Sequence, residues 1–144
     1  MNTLSIYQEK ILKLAAENKK SFAIDNYNCS FNMKNPMCGD EVQVRVDLIN
    51  KKINNISAIV RGCALCEASA GLVVQLFKNN SVPHNDFMKQ FLFWLNNNGQ
   101  EINSSLPKEL EIFLPIKEIS NRHTCITMPF EATIKSLKSN NKEN

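Results

Sequence analysis

Hydrophobic residues recur with a helical period at the start of the chain, with a period of two in its middle, and with a helical period again towards its end. Leu4, Tyr7, Ile11, Leu14 and Ala15 are separated by polar residues at helical spacing, which predicts one amphipathic helix ending near Asn18 to Lys20. From Tyr27 the period is two. Tyr27, Cys29, Phe31 and Met33 alternate with Asn28, Ser30 and Asn32, as on a half-buried strand that stops at Asn35-Pro36. Val42, Val44, Val46 and Leu48 alternate against Glu41, Gln43, Arg45 and Asp47, and a third strand follows Asn50-Lys51-Lys52, from about Ile53 to Arg61. Together the three segments predict an antiparallel meander.

Beyond Gly62 the pattern is helical, with a first half of small residues (Ala64, Ala68, Ser69, Ala70, Gly71) and a bulky second half (Leu72, Val73, Leu76, Phe77). Small residues allow close packing on the sheet. A further helix is predicted from about Asn85 to Asn97, burying Phe87, Met88, Phe91, Leu92 and Leu95, with Gly99 past its end. Ser104 to Pro107 opens a short helix carrying Leu110 and Phe113, and a last helix runs from about Pro129 to Leu137. The expected fold class is α+β: a three-stranded antiparallel sheet with an N-terminal helix and a set of C-terminal helices packed on it. Residues 1–138 form a single domain in this reading, and residues 139–144, rich in Lys, Ser, Asn and Glu, a disordered tail.

Composition narrows the classes. A chain of 144 residues can bury most of one hydrophobic core without disulfide staples. Five cysteines are an odd number, and no apolar stretch follows a basic N-terminus, so neither a disulfide framework nor a secretory signal is expected and a reducing cytoplasm fits best. No apolar run approaches the roughly 20 residues needed to cross a bilayer, which argues against a membrane span. The formal net charge of +3 is mild and the lysines are spread along the chain, so the basic patch that nucleic acid requires is missing.

The candidate chemistry lies in the cysteines. Cys38 and Asp40 share the segment Asn-Pro-Met-Cys-Gly-Asp, Cys63 begins Cys-Ala-Leu-Cys after Arg61-Gly62, and Cys125 closes Arg-His-Thr-Cys. A zinc knuckle or ribbon normally carries two tight ligand pairs, and no second C-x2-C exists here, so any site must be assembled by the fold from distant segments. An up-down-up meander does this for two of them. The turn holding Cys38 and the strand-to-helix junction holding Cys63 fall at the same end of the sheet. Cys63 at a helix start gains from the helix dipole and from free N–H groups, which favour the thiolate, and Gly39 and Gly62 leave room beside the two cysteines.

Other polar residues carry competing readings. Cys66 would share a helical face with Cys63 and is open to three roles: spare ligand, resolving thiol or packing. His123, two residues before Cys125, is either an accessory ligand or a partly exposed surface histidine. Cys29 alternates with Tyr27 and Phe31 and reads as core. His84 reads as a solvated surface residue, and Ser69 as a helix-packing residue with no base beside it.

These motifs resemble the IscU, SufU and N-terminal NifU proteins of iron-sulfur cluster assembly over nearly the whole chain, with a SufE/NifU-like fold. Asn35 to Asp40 resembles the first ligand loop of that family, Gly62-Cys63 followed by Ala68-Ser69-Ala70 its second, and Arg122 to Cys125, with Phe130 where many members carry tryptophan, its third. The resemblance implies metal ligation by Cys38, Asp40, Cys63 and Cys125. The long stretch between Cys63 and Cys125, with an insert from Pro83 to Leu106 and with Thr124 where the IscU type has histidine, is similar to the SufU type.

What the resemblance implies is an assembly protein that binds zinc or a [2Fe-2S] cluster, accepts sulfur from a cysteine desulfurase and serves apo iron-sulfur proteins or downstream assembly proteins. Such a protein is a carrier or scaffold rather than an enzyme in the usual sense. Cys125 is the expected sulfur acceptor, on the ground that Pro129 delays the last helix and leaves Cys125 on a loop able to swing. The alternative is a thiol-redox or zinc-stabilised interaction protein using Cys63 and Cys66.

Overall fold

The structure, a computed structural model, describes residues 3–97, 99 and 101–143. The first helix, α1, spans Thr3–Lys19 and buries Ile11 and Ala15 with Tyr7 and Leu14 packed beside them; the side chain of Leu4 lies outside the described residues. The apolar stripe continues one step further than its hydrophobic letters. Asn18 falls on the same face and is buried, its Nδ2 donating to the Ala58 carbonyl at 2.9 Å and to Glu67 Oε2 at 2.5 Å.

Three strands follow as the alternation requires: β1 (Cys29–Lys34), β2 (Glu41–Ile49) and β3 (Lys52–Arg61), each antiparallel to the next. Tyr27 precedes the first strand and is 43% exposed. On β2 the valines point inward, with Val42, Val44 and Val46 buried and the polar residues between them half-exposed. Asn50 and Lys51 both take positive φ, 52° and 64°, the conformation that a two-residue hairpin loop demands.

The helix α2 covers Ala64–Phe77, and a two-residue strand, β4 (Asn80–Ser81), then pairs with Lys52 and Ile53. The sheet therefore has four strands in the order β1-β2-β3-β4, not three. Two residues cannot display a period, so this edge strand leaves no alternation in the sequence. Helix α3, Phe87–Leu95, buries Phe87, Phe91, Trp94 and Leu95, while the expected core residue Leu92 is 42% exposed. Lys108–Ile116 and Ser120–Arg122 are 3-10 turns.

The last helix, α4, runs His123–Glu143, beginning six residues before Pro129 and continuing through the stretch whose composition suggested a tail. Proline inside a helix forfeits a backbone hydrogen bond at a cost of about 3 kcal/mol. That cost is outweighed locally, because Ile126, Met128 and Phe130 on the interrupted turns are essentially fully buried and each such side chain contributes roughly 1.5 to 3 kcal/mol. Ser69, wholly buried on α2, donates its hydroxyl to the Ile126 carbonyl at 2.5 Å on the same turn. Phe130 is the hub of an aromatic cluster, its ring 5.9 Å from Phe77, 5.5 Å from Phe87 and 5.3 Å from Phe91. This cluster fastens α4 to α2 and α3 and so fixes where the first turn of α4 lies.

Candidate metal centre

The turn between β1 and β2 is built to hold Cys38 outward and Asp40 inward. Asn35 caps it with its side chain, Oδ1 accepting from Met37 N at 3.0 Å, while its carbonyl accepts from Gly39 N at 2.7 Å. Gly39 adopts φ +79°, a backbone region that a side chain would strain, and the chain thereby reverses into Asp40, whose carbonyl accepts from Asn35 N at 2.8 Å. Cys38 is exposed at the tip and Asp40 is 3% exposed behind it.

Opposite this turn, β3 ends at Arg61, which pairs with Glu41, and Cys63 occupies the N-cap of α2 with an extended backbone. Its amide donates to Asp40 Oδ1 at 2.9 Å and its Sγ lies 3.4 Å from Asp40 Oδ2. Gly62 makes this possible: a Cβ at that position would stand 2.1 Å from Asp40 Oδ1. The glycine is required for close approach of the carboxylate.

The third segment arrives on α4. Cys125 is the third residue of that helix and is 2% exposed, so the expected loop placement, and with it the idea of a swinging thiol, is corrected. Phe130 and its neighbours pay for the proline that would have kept Cys125 outside the helix. The ligand atoms of Cys38, Asp40 and Cys125 all lie within 4.8 Å of one another, and Cys63 joins them through Asp40. Arg122 Nη1 is 3.9 Å from Cys125 Sγ.

Asp40 is the centre of the group. Burial pushes its carboxyl upward, but hydrogen bonds from the Cys63 amide and from the Cys38, Cys63 and Cys125 thiols outweigh burial and hold it below the usual carboxylate value. The buried thiols of Cys125 and Cys66 respond in the opposite sense. Burial, reinforced by the negative charge of Cys63, pushes the Cys125 thiol up even though Arg122 pulls it down. Burial raises Cys66 as well, with the charges of Asp40 and Cys63 adding to it. Without a metal the Asp40 carboxylate accepts hydrogen bonds from its cysteine neighbours, among them the Cys125 thiol that burial keeps protonated. A divalent cation can take the place of those protons.

The donor set fits such an ion. Tetrahedral zinc with three sulfurs and one oxygen sets its ligand atoms roughly 3.5 to 3.8 Å apart, and the 3.4 Å and 4.8 Å limits found here bracket that spacing. Cys38, Asp40, Cys63 and Cys125 would hold the metal.

The remaining expectations fall differently. His123 is not a surface residue: it is 9% exposed, and its Nε2 donates to the carbonyls of Ile116 at 3.1 Å and Lys117 at 2.8 Å, tying the preceding 3-10 turn to the start of α4. Cys66 is wholly buried on α2 behind the site, and Cys29 is buried in the core. His84 is exposed beside Asp86. Glu67 was not anticipated; buried one turn after Cys63, it receives Asn18 and anchors the start of α2 to α1. A polar Asn18 in step with Ile11 and Ala15 was the available signal.

A family model described as the NifU-like N-terminal domain matches residues 6–91, more than half of the chain. The chain belongs to the NifU-like N-terminal domain family. Among solved structures, the N-terminal part of a nitrogen-fixing NifU-like protein from Brucella abortus superposes with a TM-score of 0.84 at 17% identity, covering 96% of each chain. A candidate iron-sulfur cluster assembly scaffold for the SUF system from the thermophile Fervidobacterium islandicum AW-1 gives 0.71 at 21% identity, covering 94% of this chain and 99% of that one. At these identities the superpositions show the fold. No curated protein matches the sequence significantly. Among the described residues, no helix is long and apolar enough to cross a membrane.

Proposed function

We propose that this NifU-like domain is an iron-sulfur cluster assembly protein whose site, Cys38, Asp40, Cys63 and Cys125, binds zinc or carries a nascent [2Fe-2S] cluster and accepts sulfur from a cysteine desulfurase. The observation that carries the reading is the convergence of three thiols from three segments on one buried carboxylate at the end of the sheet. Soft thiolates suit zinc and iron alike, and the single hard oxygen of Asp40 is the weakest member of the set, suited to ligand exchange. The long insert, which contains α3, and the likeness to the Fervidobacterium protein support the SufU type.

Sulfur enters this site at its rim. Thiol exchange needs access to the attacking sulfur, and Cys38 is exposed and Cys63 half-buried, whereas Cys125 is closed off on α4. The first acceptor is therefore assigned to Cys38 or Cys63 in place of Cys125. Recipients are apo iron-sulfur proteins or later assembly proteins.

Anaerobic reconstitution with iron, cysteine and a desulfurase tests the reading. The reading expects sulfur-to-iron charge-transfer absorption that passes to an apo acceptor. Failure to take up iron, zinc or sulfur would overturn it. Asp40→Ala should slow transfer of the metal or cluster to an apo acceptor, because the ligand that exchanges first is gone, and transfer at the wild-type rate would remove that role from Asp40.

A further inference from the structure

The four-residue set leaves Cys66 unused, although it shares the first turn of α2 with Cys63. Cys63 is the N-cap and Cys66 the third residue of the helix. Cys63 makes no capping hydrogen bond and its Sγ lies 3.4 Å from Asp40 Oδ2, but the two positions are one helical turn apart, so rotation of the Cys63 side chain towards the helix can bring its thiol to Cys66. Their surroundings differ. Cys63 is half-buried at the site's rim, and Cys66 is wholly buried behind it. In a C-x2-C pair on a helix start, an accessible outer thiol exchanges with an external sulfur and a shielded inner thiol attacks the product.

Cluster sulfur is sulfide, whereas a persulfide carries its outer sulfur two electrons more oxidised. A neighbouring dithiol holds those two electrons. We propose that Cys63 and Cys66 form a reducing pair that converts persulfide sulfur on Cys63 into free sulfide, an inference that rests on the sulfur-accepting reading above. The Cys66 sulfur attacks Sγ of the Cys63 persulfide. A Cys63–Cys66 disulfide bond forms, and the bond to the outer sulfur breaks with its electron pair remaining on that sulfur. The thiol proton of Cys66 joins the departing hydrosulfide, which leaves as hydrogen sulfide. The two thiols are oxidised to a disulfide, the transferred sulfur is reduced, and an external dithiol restores the pair. A metal held by Cys63 blocks the step, so it belongs to the chain before loading.

The test uses the full chain, freed of metal by chelation, and a desulfurase loaded with persulfide and desalted free of cysteine and other thiols. Wild type should release about one sulfide for each Cys63–Cys66 disulfide found by peptide mass mapping. Cys66→Ser and Cys66→Ala should keep the added sulfur on Cys63 and release at least about tenfold less sulfide, while binding zinc as wild type does. Disulfide mapping of wild type decides the matter should either variant fold poorly. Sulfide release by the variants at the wild-type rate, or wild type that stays persulfidated with no Cys63–Cys66 disulfide, overturns the inference and leaves the sulfur-accepting reading standing. Sulfur uptake by none of the proteins overturns both.

Discussion

Helix α4 serves two regions of opposite character within one turn and a half. Its first turn delivers Cys125 to a polar cluster of thiols around Asp40, and the next delivers Phe130 to the rings of Phe77, Phe87 and Phe91. The aromatic region is stabilised by burial, with Phe130 edge-to-face on Phe77 and Phe91 and stacked on Phe87, and needs no ligand. The thiol region joins residues that gain little from one another without a metal: burial raises the Cys125 thiol, and one carboxylate accepts from Cys38, Cys63 and Cys125. The difference teaches that the core holds the site in shape, while the site is free to exchange what it binds.

That division can be broken from either side. The largest effect is expected from Cys63→Ala, which removes a charged soft ligand; since loss of groups that merely orient ligands costs 10- to 100-fold in affinity, zinc binding should fall by more than about a hundredfold. Titration against a chromophoric chelator measures it, with unfolding of the apo chain nearly unchanged. Phe130→Ala should do the reverse, lowering stability by about 3 to 5 kcal/mol in denaturant while the folded protein still binds about one zinc. Coupled loss of both properties in that variant would show that the two regions are not separable.

Gly62→Ala sharpens the boundary, because a methyl group 2.1 Å from Asp40 Oδ1 must displace the carboxylate. Zinc affinity should drop by roughly 10- to 100-fold, as for loss of an orienting contact, with a stability change small beside that of Phe130→Ala. The mildest test is pH. The lowered carboxyl of Asp40 stabilises the fold above its unfolded value of 3.8, and that stability is lost as pH falls through the folded value. The raised thiols have the opposite slope: the metal-free chain binds more protons folded than unfolded above pH 9.0, so its stability should decline as pH rises beyond that point. Zinc should counter the part of the alkaline decline that comes from Cys125, since its binding displaces that proton. Unfolding midpoints of the apo and zinc-bound chain across pH check both slopes.

The sequence was most legible where periodicity is long. Alternation over Val42 to Leu48 placed β2 and the inward valines, and the two glycine-flanked motifs placed Cys38, Asp40 and Cys63 at one end of the sheet. What escaped depended on partners distant in the chain. Pro129 reads locally as a helix start, and only the burial of Met128 and Phe130 against other elements carries the helix back to His123. His123 likewise owes its role to the carbonyls of Ile116 and Lys117, and no spacing rule announces that. β4 is two residues long and Glu67 is polar, so neither carries a hydrophobic signal.

X-ray absorption at the zinc edge, on anaerobically prepared protein with about one zinc per chain, tests the central claim most directly. The four-residue site predicts three sulfur neighbours at about 2.3 Å and one oxygen at about 2.0 Å. Four sulfurs, which would bring in Cys66, or a shell dominated by nitrogen and oxygen, would contradict it.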